Sequence, residues 1–321
     1  MASVSVVVPV FRCRDQVAAT LESVARQRHR PLETLLVDDR GGDDSIEVAI
    51  AAAVDLGLPH RVVTMPRNEG VAAARNAGAV ASRGELIWFL DSDDIAAPEL
   101  VGALHEALVG HDAGFAVCRT TKFTATRIWT DEPDTGDGVR QGSRVALDIL
   151  EGTIRGYACN KLVRRDLALA HPFPVGLAYE DLGTVLSWAL HTPRVALVSR
   201  PLYRYRIHPS SLSAGFGEHS TDLLAQCDAV EETVSRSGLD CPDSLLRYRY
   251  REVVLPLANV ALRAEHAGHR TALTRSALER ARRMISWGDL LRLTRARPRL
   301  AAPAAVLWLS PRLYSAALRW R

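Results

Sequence analysis

The sequence predicts an α/β protein: a mostly parallel sheet covered by helices on both faces, followed by an all-helical C-terminal extension. Three observations carry this expectation. Between residues 3 and 90, short apolar runs alternate four times with segments of helical period, the beat of parallel strands joined by crossover helices. Each of those runs ends in polar or charged residues, so one edge of the sheet should collect them, and that edge is where open α/β sheets bind ligands. From Gly217 onward the apolar spacing is helical to the end. This places a boundary near Phe216 and divides the chain into 1–216 and 217–321.

Taken in order, Ser3 to Pro9 (SVSVVVP) reads as the first strand, and Arg14 to Arg28 as a helix with Val17, Leu21 and Val24 on one face. Leu32 to Asp38 is a second strand ending in Asp38 and Asp39; the turn RGGDDS then leads into a helix over Ile46 to Leu56. Arg61 to Met65 is a third strand with PRNEG as its exit loop, and Val71 to Ala81 is an Ala-rich helix. Leu86 to Leu90 is a fourth strand, apolar throughout as a strand buried on both faces should be. Beyond it come a helix over Pro98 to Val109, strands at Gly114 to Cys118 and Thr121 to Trp129, and a loop from Thr130 to Gly142. A helix headed by Glu180 and Asp181 runs to Leu190, and short strands follow at Val195 to Val198 and Leu202 to Tyr205. Helices are then expected near Ser220 to Ser237, Ser244 to Glu265 and Thr271 to Trp287.

The fourth strand runs straight into Asp91, Asp93 and Asp94. Three carboxylates packed this closely repel one another, and a divalent cation held by hard oxygen ligands would relieve them. The alternative is a solvated acidic turn in which Asp94 caps a helix starting at Ala96. The polar ends of the other strands favour the cation, because four strands deliver Pro9 to Arg12, Asp38 and Asp39, Asn68 to Gly70, and Asp91 to Asp94 to one edge. Glu180 and Asp181 head a helix, where acids also serve the helix dipole. Lys122 and Lys161 are the two lysines of the chain, and a solvated surface position is the expectation for Lys122.

Composition narrows the classes. VPVFRCRD after the first strand contains neither a GxGxxG nor a GKS or GKT loop, which argues against dinucleotide and P-loop folds. The five cysteines are scattered and odd in number, as expected of buried thiols in a reducing compartment rather than a disulfide frame or zinc knuckle. MASVSVVVPV lacks a basic leader, so a cytoplasmic location is expected, with the inner membrane face as a peripheral site. Residues 243–321 hold sixteen Arg against five acids, or +11, which leaves −8 on the rest of a chain whose total is +3. The tail therefore suits an anionic partner or surface. Its apolar run Leu300 to Leu309, interrupted by Pro303, is too short to span a bilayer. No nucleic-acid partner is expected.

The motifs VVVPVFR, LLVDDRGGDDS, NEGVAAARNAGAVASRGELIWFLDSDD, CNKLVRRDL, YEDL and PLYRYRIHPSS together resemble the inverting family 2 glycosyltransferases of GT-A fold. The resemblance covers residues 3–213. It implies a nucleotide-sugar donor, with a uridine diphosphate sugar favoured, Mn²⁺ or Mg²⁺ on its diphosphate, and a glycan, lipid-linked or polymer acceptor. It also implies work in cell-surface polysaccharide, glycolipid or teichoic-acid-like synthesis. By the same resemblance Pro9 and Phe11 would border the base, and Asp39 would accept from it. Asn68, Gly70 and Arg75 would line the nucleotide cleft, and Asp91 would reach the ribose or sugar. Asp93, with Asp94 and Asp91, would hold the metal, and Asp181 would be the general base with Glu180 orienting the loop or binding acceptor. Apart from the resemblance, the positive groups of Arg204, Arg206 and His208 could add to a diphosphate clamp, the alternative being a plain basic surface after an edge strand. Arg40 stands where the family commonly has Gly. The rival expectations are a DxD-type phosphohydrolase, a nucleotidyltransferase and a non-catalytic nucleotide-sugar-binding protein. The roles expected of the tail are holding a membrane-linked or polyanionic acceptor through peripheral membrane contact, covering the catalytic domain as a helical cap, or self-association.

Overall fold

The computed structural model describes residues 2–130, 132–207 and 215–319. They form two units: 1–149 with 153–176 and 180–207, and 150–152 with 177–179 and 208–321. Within the first unit the strands are β1 (Val4–Val10), β2 (Glu33–Asp38), β3 (His60–Thr64), β4 (Leu86–Phe89), β5 (Ile95–Ala96), β6 (Phe115–Phe123), β7 (Ile128–Trp129), β8 (Gly138–Gln141), β9 (Lys161–Arg164) and β10 (Arg194–Arg206). The helices are α1 (Val17–Ala25), α2 (Ser45–Asp55), α3 (Val71–Ala81), α4 (Leu100–Gly110), α5 (Gly142–Glu151), α6 (Arg165–Ala170) and α7 (Glu180–Leu190).

The strands build one sheet in the order β3-β2-β1-β4-β9-β6-β10-β5, with β7 on β6 and β8 on β10. β3, β2, β1 and β4 are mutually parallel; β9 is antiparallel to both its neighbours. Strand order reverses between β1 and β4, because the chain winds outward from β1 to β3 and then returns to β1's other side. A crevice opens at such a reversal. Here it deepens because β4 stops pairing at Val7↔Phe89 while β1 and β2 continue to Val10↔Asp38. Pro9, which has no N–H to donate, lies in that last stretch of β1, beyond the reach of β4.

Side chains alternate across β1. Val4, Val6, Val8 and Val10 join Leu21, Ala49, Leu100 and Leu104 in the core beneath α1, α2 and α4. Val7 faces α3, and so closely that a Cβ on Gly78 would come within 2.3 Å of Val7 Cγ1. On this second face Trp188 of α7 packs with Phe89, Phe115 and Phe173.

Several expectations change. Thr121 to Trp129 is not one strand: β6 runs to Phe123, and the chain folds back through Thr124 and Arg127 into β7. Val195 to Val198 and Leu202 to Tyr205 are a single strand, with its register against β6 shifting on either side of Pro201, since a proline offers no ladder donor and tolerates a bulge. The segment 130–142 is not all loop; it contributes β8, antiparallel to β10. Asp94 caps no helix, because Ile95 and Ala96 pair with β10 and the next helix begins at Leu100.

The second unit holds α8 (Asp222–Ser237), α9 (Pro242–Tyr248), α10 (Leu255–His266), α11 (Ala272–Arg283), α12 (Trp287–Ala296), α13 (Pro298–Leu309) and α14 (Pro311–Arg319). A π-helical stretch, Arg249–Val254, joins α9 to α10. It precedes Pro256, which cannot donate to the carbonyl four residues back, and a widened turn is one way to accommodate that. Pro303 does not break α13, which continues through it to Leu309. Among the described residues no helix is long and apolar enough to cross a membrane.

Candidate active site

The crevice is built around Arg75, on the second turn of α3 and only 3% exposed. Its Nη1 donates to Glu180 Oε1 and Asp181 Oδ1, each at 2.6 Å, and its Nη2 to Asp91 Oδ1 at 2.6 Å. One planar guanidinium thus ties the turn after β4 to the head of α7, and Phe173 lies under it at 5.2 Å. Burial opposes the charge on Arg75, yet Asp181, Asp91 and Glu180 hold its pKa well above the ordinary value. Three acids around one cation leave a net negative charge. Burial, then Asp181, pushes Glu180 up to about 7, and burial raises Asp181 against the pull of Arg75.

The two acids of α7 differ in access. The side chain of Asp181 is 20% exposed and that of Glu180 is 8% exposed. Asp181 Oδ2 also accepts the Ala158 N–H at 3.1 Å. That amide is set by Lys161, a fully buried amine donating to the carbonyls of Arg155 and Tyr157 and to Asn160 Oδ1 at 2.6–2.8 Å. Burial lowers the Lys161 pKa to about 8.

The remaining strand ends arrange the crevice walls. Asp39 is 2% exposed; it accepts the Glu69 N–H at 2.9 Å and the Gly70 N–H at 3.0 Å, so it organises the loop after β3. Asn68 Oδ1 also accepts from Gly70 N. Gly70 has φ +86°, where a side chain would be strained. Arg40 takes φ +55°, the left-handed conformation that explains why glycine suits this turn; its Nε donates to the Met65 carbonyl at 2.9 Å. Phe11 is 37% exposed, with the Arg12 guanidinium 5.1 Å from its ring centre.

Asp94 is built into the protein. Its Oδ2 accepts from Tyr203 Oη and its Oδ1 from Arg206 N, both at 2.6 Å, and burial followed by Asp93 and Asp91 raises its pKa well above the usual carboxyl range. Arg206 Nε donates to the Asp93 carbonyl at 2.7 Å, so the chain after β10 braces the acidic turn. Ligand atoms of Asp91, Asp94 and Cys159 lie within 4.8 Å of one another, but burial holds the Cys159 thiol well above its ordinary pKa. A protonated soft sulfur is a poor ligand for a hard cation. Asp91 and Asp93 are both part-exposed at this turn, and carboxylates are the hard donors that could hold Mn²⁺ or Mg²⁺.

Of the residues expected from sequence, the structure brings Asp91, Arg75, Glu180 and Asp181 into direct contact, and Asp39, Asn68 and Gly70 into one loop system. Arg206 sits against Asp93 and Asp94; His208 lies outside the described residues. Sequence reasoning missed Lys161, Ala158, Tyr203 and Phe173. A lysine inside the apolar-flanked CNKLV was the available signal for the first, whereas a backbone amide carries no sequence signal.

The family model "Glycosyl transferase family 2" matches residues 5–168. EpsH of Bacillus subtilis (strain 168) is 29% identical over 226 residues, 65% of this chain, and the match spans 62% of EpsH's own length. Among solved structures, Staphylococcus aureus TarS 1-349 in complex with UDP-GlcNAc superposes with TM-score 0.71 at 17% identity, covering 99% of this chain and 92% of that one. The Pyrobaculum calidifontis mannosyltransferase PcManGT, in complex with GDP-Man and Mn²⁺, gives TM-score 0.56 at 15% identity, covering 99% and 86%. These two share the GT-A-like fold described above, and with the family model matching half of its length and the site assembled on that fold, the chain belongs to glycosyl transferase family 2.

Proposed function

We propose that the protein is an inverting glycosyltransferase that moves a sugar, a hexose or N-acetylhexosamine, from a nucleoside diphosphate to an acceptor hydroxyl. A uridine diphosphate sugar is the favoured donor, and the acceptor is a glycan, a lipid-linked sugar or a polymer of cell-surface, glycolipid or teichoic-acid-like type. The carrying observation is the Arg75 bridge, which holds Asp91 at the strand end and Asp181 at the helix head on one rigid group. The nucleotide sugars bound by TarS and by the mannosyltransferase support the donor class.

The chemistry assigns each side chain a task. An acceptor hydroxyl is a weak nucleophile, and Asp181, the more accessible acid, takes its proton as the oxygen bonds to the anomeric carbon. The bond from that carbon to the diphosphate oxygen breaks in the same displacement, which inverts the centre. A raised pKa makes Asp181 a stronger base than a solvated carboxylate, and Ala158 N–H and Arg75 fix its direction. Asp91 and Asp93 would hold Mn²⁺ or Mg²⁺, which when bound supplies positive charge to the departing diphosphate. Asp94 and Arg206 keep that turn in place, and Asp39 and Gly70 shape the nucleobase side.

The test is transfer from labelled UDP-Glc, UDP-GlcNAc and GDP-Man, with product configuration read by NMR. Asp181→Asn should retain donor affinity and lose transfer by roughly 10²- to 10⁴-fold. A product of retained configuration, or near-normal transfer by this variant, would overturn the base assignment. Donor binding with no transfer to any acceptor would favour a non-catalytic binding protein.

A further inference from the structure

The second unit carries a surface unlike the rest of the protein. Among the described residues, five of the sixteen exposed large apolar side chains fall between residues 287 and 313: Trp287, Leu291, Val306, Leu309 and Leu313. They lie on α12, α13 and α14, which pack in succession. The Trp287 and Trp308 rings meet at 6.1 Å between centroids, joining α12 to α13 at the surface. Leu291 stands one turn along α12 from Trp287, while Leu290 and Leu293 are buried. Leu309 and Leu313, 74% and 66% exposed, flank the α13–α14 junction at Ser310. Scattered apolar side chains on a surface are ordinary, but a concentration of this kind marks an interaction site.

The charge around it has one sign. Residues 287–313 contain Arg292, Arg295, Arg297, Arg299 and Arg312 against Asp289 alone. Arg292 pairs with Asp243, and Arg297 lies 3.7 Å from Glu151. Arg295, Arg299 and Arg312 are exposed and make no ion pair among the described residues. Arginine heads on long stems beside tryptophan and leucine match the boundary of an anionic bilayer, where the cations reach lipid phosphates and the apolar groups enter the acyl region.

We propose that the α12–α14 surface docks the protein on an anionic lipid bilayer, lying in the interface rather than crossing it. This goes beyond the transferase reading, since docking is read without any turnover. Full-length protein is sedimented with vesicles of phosphatidylglycerol mixed with phosphatidylcholine, and with phosphatidylcholine alone. Binding to the mixed vesicles that weakens as salt rises is expected, with little binding to the neutral ones. Arg295→Gln/Arg299→Gln/Arg312→Gln should weaken it on the order of a hundredfold. Leu291→Ser/Leu313→Ser, which leaves the Trp287–Trp308 contact intact, should weaken it about tenfold or more. No binding to the mixed vesicles at low salt, or equal binding by both variants, overturns the proposal. So does a change of sedimentation mass on Leu291→Ser/Leu313→Ser with vesicle binding unaltered, which assigns the surface to a second copy of the chain.

Discussion

Arg75 and its three carboxylates form a unit whose charge balance is set by burial. Removing the guanidinium would strand three acids close together, and losing one member of a buried charged group costs roughly 3–5 kcal/mol. Arg75→Met should therefore be destabilised by about that amount at pH 8 and by less at pH 5.5, where protons can neutralise the acids; urea denaturation at the two pH values measures it. Glu180 supplies a second pH signature. Its native pKa, about 7, lies above the ordinary 4.5, so the folded state keeps a proton that the unfolded chain gives up in between. The stability tied to that proton is fully present below pH 4.5 and lost as pH rises through 7. Arg75, Asp181 and Asp91 face it throughout. Glu180→Gln should match the wild type near pH 4 and be more stable by roughly 3 kcal/mol at pH 8. Thermal melting across pH 5–8 would show the curves diverging; parallel curves would mean that Glu180 is ionised throughout.

Elements hold the site through close approaches that small residues permit. α3 carries Arg75 into the crevice only because Gly78 lets the helix settle on Val7 and Val37. A methyl at that position meets Val7 Cγ1 at 2.3 Å, so Gly78→Ala should cost about 1–3 kcal/mol through overpacking. Val7→Ala in the same chain should recover part of it, and a double-mutant cycle of denaturation midpoints reads the coupling. The segment between α5 and β9 is held differently. Lys161 satisfies two carbonyls and Asn160 from inside the protein, and the Ala158 amide that contacts Asp181 lies within the loop so fixed. If Asp181 is the base proposed above, Lys161→Met should lower kcat roughly tenfold or more with donor KM little changed, because misdirecting that carboxylate affects the reacting geometry rather than nucleotide binding. Faster amide exchange over residues 155–158 would accompany it. A raised KM with unchanged kcat would assign Lys161 to the donor cleft instead.

At the scale of the molecule, the first unit concentrates negative charge at the strand ends that the proposed diphosphate donor would approach, while the tail is strongly basic. Donor binding should therefore need a divalent cation. Calorimetric titration of UDP should lose its signal in excess chelator and regain it on adding Mn²⁺ or Mg²⁺. Unchanged affinity in chelator would remove the metal from Asp91 and Asp93.

Repetition in the sequence determined the parallel half of the fold. Four apolar runs with helical segments between them could bury themselves in few other ways, and the residues ending each run then had to share an edge. Asp91 was legible at that edge for that reason, Arg75 only through the motif resemblance, and Glu180 and Asp181 through the resemblance and as the acidic head of a helix. Tertiary structure alone decided the rest of the sheet, since the antiparallel pairing of β8 and β9 and the parallel pairing of β10 with β6 depend on partners far away in sequence and leave little local period. It also decided that Asp94 turns inward to Tyr203 and Arg206 rather than capping a helix, because a buried carboxylate is satisfied by whichever donors the sheet brings near it. Lys161 is the clearest instance: whether an isolated lysine meets water or three oxygens inside the protein depends on where the chain places carbonyls that its own neighbours in sequence do not announce.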